Sequence, residues 1–192
     1  MKDACGNDAI WIQEENAAMG AGHSGLMVQD ENGDWFFFYW GPNSETPSKE
    51  LVLGVDNGSY FVRIDTYGAD LNDTASVKTA IANSGDVRAS ARASEITKTY
   101  YFEGDYTATY HKAKEMSTSN DKYYLLSKNC SQQTLRAFGA SDSRFYDVSY
   151  GDWADIVPNY VASKVAMLPS KKGKFALKLW LYNLFIEDSP YK

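Results

Sequence analysis

The chain has 192 residues, of which 44% are hydrophobic and 15% aromatic, and it carries a formal net charge of −6. That length suits one well-buried domain, and no proline-rich or glycine/serine-rich linker divides residues 1–192. The composition excludes a disordered chain, and the negative charge argues against a nucleic-acid partner, whose phosphates call for clustered Lys and Arg. Lys171, Lys172 and Lys174 form the one basic run, which reads as a solvated loop between two helices. No apolar run is long enough to span a bilayer, and Asp3, Asp8, Glu14 and Glu15 leave no hydrophobic signal segment. Localisation stays open, and export would need a carrier domain or a specialised secretion system.

Ala9 to Gln13 reads as a first strand, and residues 14–22 as a loop that lines a cleft. His23 then opens an apolar strand to Val28. The turn Asp30-Glu31-Asn32-Gly33-Asp34 leads into Trp35-Phe36-Phe37-Phe38-Tyr39-Trp40, closed by Gly41-Pro42. Two β-rich runs around an Asn-Gly loop predict a hairpin. Residues 43–49 are turn-rich. Leu51 to Val55 and Tyr60 to Ile64, joined through Asn57-Gly58, predict a second hairpin that extends the sheet.

Residues 70–84 place Leu71, Val77 and Ile81 at helical spacing, with Asn72 or Asp73 as cap. Glu95 to Phe102 returns to a strand pattern. Tyr106 to Ser117 reads as a polar helix with His111 on its exposed face, and Ser117 to Asn120 as a turn. The apolar run Tyr123-Tyr124-Leu125-Leu126 predicts a strand ending at Ser127. Asn129 is placed as the N-cap, accepting from Ser131 or Gln132, of a helix about ten residues long, with Thr134, Leu135 and Phe138 on one face with Cys130 and Gly139 as the stop. Phe145 to Trp153 reads as an aromatic loop, and residues 158–167 and 175–186 as two helices.

Cys130 occupies the first turn of its helix, where chemistry puts a nucleophile. The positive end of the helix dipole, with an imidazolium beside it, lowers a thiol pKa from about 8.5 toward neutrality. The backbone amides there, at Asn129 and Ser131, can hold an oxyanion. The competing use of such a cysteine is as a small apolar plug between helix and core. A disulfide between Cys5 and Cys130 would also remove the nucleophile, although two cysteines without framework spacing read as free thiols. Of the two histidines, His23 is the candidate base, because its flanking glycines let another segment approach closely.

The run Gly22-His23-Ser24-Gly25, its aromatic second strand with Trp40-Gly41-Pro42, and Asn129-Cys130 opening a later helix together resemble circularly permuted papain-like cysteine hydrolases of the NlpC superfamily. They are also similar to toxin domains at the tips of Rhs-like polymorphic proteins. The likeness covers about residues 20–43 and 123–139. It implies an α+β fold with an antiparallel sheet packed on the helix that starts at the cysteine, Cys130 as nucleophile, His23 as base, and a polar residue of the second strand as orienter. Closing the hairpin over residues 30–34 puts Asn43 nearest His23, with Tyr39 as the alternative, and Gln13 is an oxyanion candidate.

Other chemistries lack their residues. Two separated histidines and two cysteines do not give the close ligand pairs of a zinc site, and no phosphate-binding or dinucleotide glycine loop is present, so no metal or cofactor is expected. Ser24 lacks the Gly-x-Ser-x-Gly elbow. The resemblance therefore implies a cysteine amidase or peptidase, or an acyltransferase or deamidase of the same fold. Its substrate would be a peptide or peptidoglycan bond, its setting an exported effector or toxin, and its partner an immunity or inhibitor protein. The rival reading is a non-enzymatic interaction module, in which the aromatics of 35–40 and 145–153 form a recognition surface over an inert Cys130.

Overall fold

The computed structural model describes residues 7–17, 22–42, 54–125, 128–149 and 157–168. Among the described residues there are seven strands: β1 (Ala9–Glu14), β2 (His23–Gln29), β3 (Trp35–Tyr39), β4 (Val55–Asp56), β5 (Tyr60–Ile64), β6 (Lys98–Phe102) and β7 (Lys122–Tyr123). The helices are α1 (Thr74–Ala82), α2 (Val87–Ala93), α3 (Thr107–Ser117), α4 (Cys130–Gly139), α5 (Arg144–Ser149) and α6 (Pro158–Val165). Five strands form one antiparallel sheet in the order β5-β3-β2-β1-β6. The fold is α+β.

Both faces of this sheet are covered. On one side Trp11, Leu26, Val28, Phe38 and Trp40 pack with Tyr110, Met116, Leu135, Phe138, Phe145 and Val161, drawn from α3, α4, α5 and α6. On the other, Ile10, Ile12, Met27, Phe37 and Tyr39 pack with Val77, Ile81, Ala89 and Ala93 of α1 and α2. Burial from two sides explains why β1, β2 and β3 are almost unbroken apolar runs where a half-exposed strand would alternate. It also corrects the recognition-surface reading: Trp35, Phe37, Phe38, Tyr39 and Trp40 are 4% exposed or less, so they are core.

The first hairpin closes as expected, with Asp30 accepting main-chain N–H groups from Asn32 and Asp34 and Gly33 at a positive φ of 85°. The second, whose residues 51–53 lie outside the described residues, does not form over the part described. β5 pairs with β3, whereas β4 leaves the main sheet and pairs with β7 in a separate two-stranded ladder. Asn57 makes the difference: its side-chain amide donates to the Ser119 and Asp121 carbonyls, tying the loop to the 119–121 segment. α2, capped by Asp86, has no counterpart in the predicted elements, and the described start of the loop expected over 145–153 belongs to α5, residues 150–153 lying outside the described residues. The expected helix 175–186 and the basic run 171–174 lie outside the described residues.

Candidate active site

β1 ends, β2 begins, β3 ends and β5 begins at one end of the sheet. β2 and β3 are paired only from Leu26↔Phe38 to Gln29↔Trp35, and upstream of Leu26 they part. Gln13, opposite Ser24 on β1, gives its carbonyl to Thr97 on the far side, so the main-chain groups of Ser24 face the opening. α4 fills it. Thr134 Oγ1 donates to the Ser24 carbonyl at 3.3 Å, and the Ser24 amide donates to the Cys130 sulfur.

A capping box fixes the start of α4. Asn129 Oδ1 accepts the Gln132 amide at 3.0 Å, and Gln132 Oε1 accepts the Asn129 amide at 3.2 Å. Asn129 Nδ2 also donates to the Leu125 carbonyl at 3.0 Å, and Trp40 Nε1 to the Lys128 carbonyl at 3.0 Å. Asn129 is thereby committed to holding the helix. Ser131 Oγ lies 3.2 Å from Ser24 Oγ, and its amide and hydroxyl also reach the Cys130 sulfur. The Tyr123 hydroxyl completes the surroundings, touching the thiol and taking the Cys130 N–H.

Gln13, the oxyanion candidate, has its side-chain amide engaged by protein partners. Its Oε1 accepts from Ser24 Oγ at 3.0 Å and from Trp11 Nε1 at 3.4 Å, while Nε2 donates to Asn159 Oδ1 at 2.6 Å. Asn159 in turn donates to the Glu15 carbonyl. The amide is a brace between β1, β2 and α6.

His23 immediately precedes Ser24, and its ring lies on the α2 side of the sheet. The imidazole stacks on Tyr39 at 4.4 Å, Tyr39 stacks on Tyr60 at 5.0 Å, and the Arg88 guanidinium covers Tyr60 at 4.7 Å. Arg92, one helical turn on, lies 4.9 Å from the Tyr39 ring centre and 3.8 Å from Glu14 Oε2. Among the described residues, the fully buried side-chain polar atoms without a hydrogen-bond partner are Glu14 Oε2, His23 Nε2 and Tyr60 Oη. All three stand at this end of the sheet.

Burial dominates the protonation of the site. It pushes the Cys130 thiol up to about 11, against the opposing pull of the Ser24 and Ser131 donors. Burial, reinforced by the Arg92 charge, takes the His23 imidazole down to about 3. Glu14 rises to about 7 through burial, with Arg92 opposing. Cys130 is therefore a neutral thiol and His23 a neutral imidazole at neutral pH, where the sequence predicts a thiolate and an imidazolium: at 2% exposure of Cys130, desolvation outweighs the helix N-terminus.

The structure thus joins Cys130 and Ser131 to Ser24, the residue next to His23 in the chain, while the His23 ring itself stacks on Tyr39 on the α2 side of the sheet. Asn43 and Cys5 lie outside the described residues, and Cys130 is a free thiol. His111 is exposed and pairs with Glu31 at 2.7 Å, remote from the site in role. Glu14, Arg92 and Tyr123 were missed. In sequence Glu14 opens the expected loop and Tyr123 sits in an apolar run; the one available signal is a carboxylate closing an otherwise apolar strand. Among the described residues no group of three or more His, Cys, Asp or Glu side chains could hold a metal, and no helix is long and apolar enough to cross a membrane. The chain matches no protein-family model, no curated protein and no solved structure.

Proposed function

We propose that this chain is a cysteine amidase or peptidase of permuted papain-like, NlpC-type build, acting through Cys130 with His23 as its base, in an exported effector or antibacterial toxin. The observation that carries the reading is the Cys130 thiol at the start of a capped helix, held against the amide next to His23, with the His23 ring nitrogen Nε2 buried and unpartnered. An inert core cysteine needs none of this polar company.

The resting protonation supports proton transfer during attack, in place of a preformed ion pair. The imidazole takes the S–H proton as sulfur bonds to the substrate carbonyl carbon, and the π electrons move onto oxygen. Collapse of that intermediate breaks the C–N bond, and the imidazolium returns the proton to the leaving amine. Water, deprotonated by the same ring, then cleaves the thioester and restores the thiol. Another acceptor in place of water gives acyl transfer, and a side-chain amide as substrate gives deamidation. The substrates proposed are peptide bonds of peptidoglycan or of a target-cell protein, and an immunity-type protein would act by covering the Cys130 end of the sheet.

The test is incubation of wild type, Cys130→Ala and His23→Ala with peptidoglycan and with glutamine-containing peptides, products being read by mass spectrometry. Wild type should release new amino or carboxyl ends and both variants should not. A folded variant of either kind with full activity overturns the assignment.

A further inference from the structure

The hydrolase reading leaves the orienter of the imidazole unfilled, and the geometry points to a residue the sequence did not suggest. We propose that Glu14 is the positioning residue of His23, accepting a hydrogen bond from Nε2–H and balancing the ring's charge once the ring has taken the thiol proton. The proposal rests on the cysteine-hydrolase reading above.

Glu14 and His23 are directly opposed in the β1–β2 ladder. Side chains so placed share a face, with Cβ atoms about 5 Å apart. Glu14 is 1% and His23 7% exposed, and each has one fully buried polar atom that makes no hydrogen bond in this structure, Nε2 of His23 and Oε2 of Glu14, the latter 3.8 Å from Arg92. A carboxylate oxygen accepts and a ring N–H donates, so each supplies what the other lacks. Among the described residues, two earlier candidates are otherwise engaged. Gln13 is spent on Asn159 and Ser24, and Tyr39 meets the ring face to face, which fixes its plane without binding a nitrogen.

Charge leads to the same residue. Facing Glu14 are His23 from β2, Arg92 from α2, Glu95 after it, Tyr39 and Tyr60 from β3 and β5, and Cys130 from α4. Arg92 is the cation of that set and opposes protonation of His23. Glu14, closer to the ring's own strand than Glu95, is the group able to offset it. In the proposed step the S–H proton moves to Nδ1, the proton on Nε2 stays in place, and the Glu14 carboxylate accepts from it throughout. No proton leaves the site.

The experiment is the rate of iodoacetamide alkylation at Cys130 between pH 5 and 11, read on the Cys130 peptide by mass spectrometry in wild type, Glu14→Gln, Glu14→Asp and His23→Ala. Glu14→Gln should slow labelling at pH 7 by roughly tenfold or more, the effect of lowering the imidazole pKa by about one unit, and should converge on wild type where the thiol ionises unaided. Glu14→Asp should recover part of the loss. A Glu14→Gln profile superimposed on wild type, with His23→Ala displaced, overturns the role of Glu14 and leaves the Cys-His pair standing. If His23→Ala also superimposes, the pair falls and this proposal with it. Should Glu14→Gln not fold, 15N-histidine NMR of wild type decides: the Nε2–H tautomer of His23 with a slowly exchanging, downfield proton is expected, and the Nδ1–H tautomer overturns it.

Discussion

Glu14 and His23 stand opposite each other across the β1–β2 ladder, both buried, with their pKa values displaced in opposite senses. Each displacement has a signed effect on stability. Glu14 is raised, so its contribution is complete below about pH 4.5 and is lost as pH rises through about 7. His23 is lowered, so its contribution is present above about pH 6.5 and is lost as pH falls toward about 3. Between 4.5 and 6.5 the two slopes oppose one another.

Glu14→Gln should therefore stabilise the fold at pH 8, by about 1–3 kcal/mol, and leave it unchanged at pH 4. Urea titrations at the two pH values measure the difference, and a variant less stable than wild type at pH 8 contradicts the shift. His23→Gln should correspondingly remove the acid-side loss between pH 6.5 and 3.

Cys130 gives an alkaline counterpart. Its thiol is raised to about 11 from an ordinary value near 9, so stability is intact below 9 and declines as pH climbs through 11, by about 2–3 kcal/mol in all. Cys130→Ala should show a shallower alkaline decline. Equal slopes for the two proteins, by chemical denaturation from pH 8 to 11, would refute it.

Asn129→Ala removes the side-chain half of the capping box, the acceptor of the Gln132 amide, together with the bond to the Leu125 carbonyl, and should cost about 1–2 kcal/mol, or a fall in Tm of roughly 2–6 °C for a chain of this size. Thermal melts followed by circular dichroism check this. The N-terminal turn of α4 should also lose amide protection first, because those N–H groups have no other intrahelical partner.

Two glycines with positive φ separate backbone cost from crowding. Gly68 has a φ of 73° and open space where a Cβ would stand, whereas Gly22 has a φ of 91° and would put a Cβ 2.9 Å from Gln13 Nε2 and against Asn159 Oδ1. Gly68→Ala should cost only the left-handed penalty of about 1 kcal/mol. Gly22→Ala should cost at least about 1 kcal/mol more, because it displaces the Gln13–Asn159 bond as well. Similar losses for the two, in parallel denaturant titrations, would mean that the bond carries no energy.

Much of this arrangement could be read from residues in order. The β2–β3 hairpin announces itself through Asn32-Gly33 between apolar runs, and α4 through Asn129, Gln132 and its buried stripe, because turns and caps are local chemistry. Strand pairing is not local. Asn57-Gly58 carries the same turn signal, yet Asn57 binds the 119–121 segment and β5 joins β3. The site divides the same way. Cys130 and His23 are visible as residue types, whereas the burial that raises Glu14 depends on α2, whose Arg88 and Arg92 lie over the sheet from more than seventy positions away along the chain. A glutamate ending an apolar strand ordinarily meets water, and no sequence pattern states that a helix will cover it.

Cys130 also stands in for a strand. Where β3 turns away, the Ser24 amide hydrogen is held by sulfur, so any group attached to that sulfur weakens the bond and loosens one backbone position. Deuterium uptake at the single amide of Ser24 thus becomes a label-free gauge of whether the Cys130 sulfur is free or covalently modified.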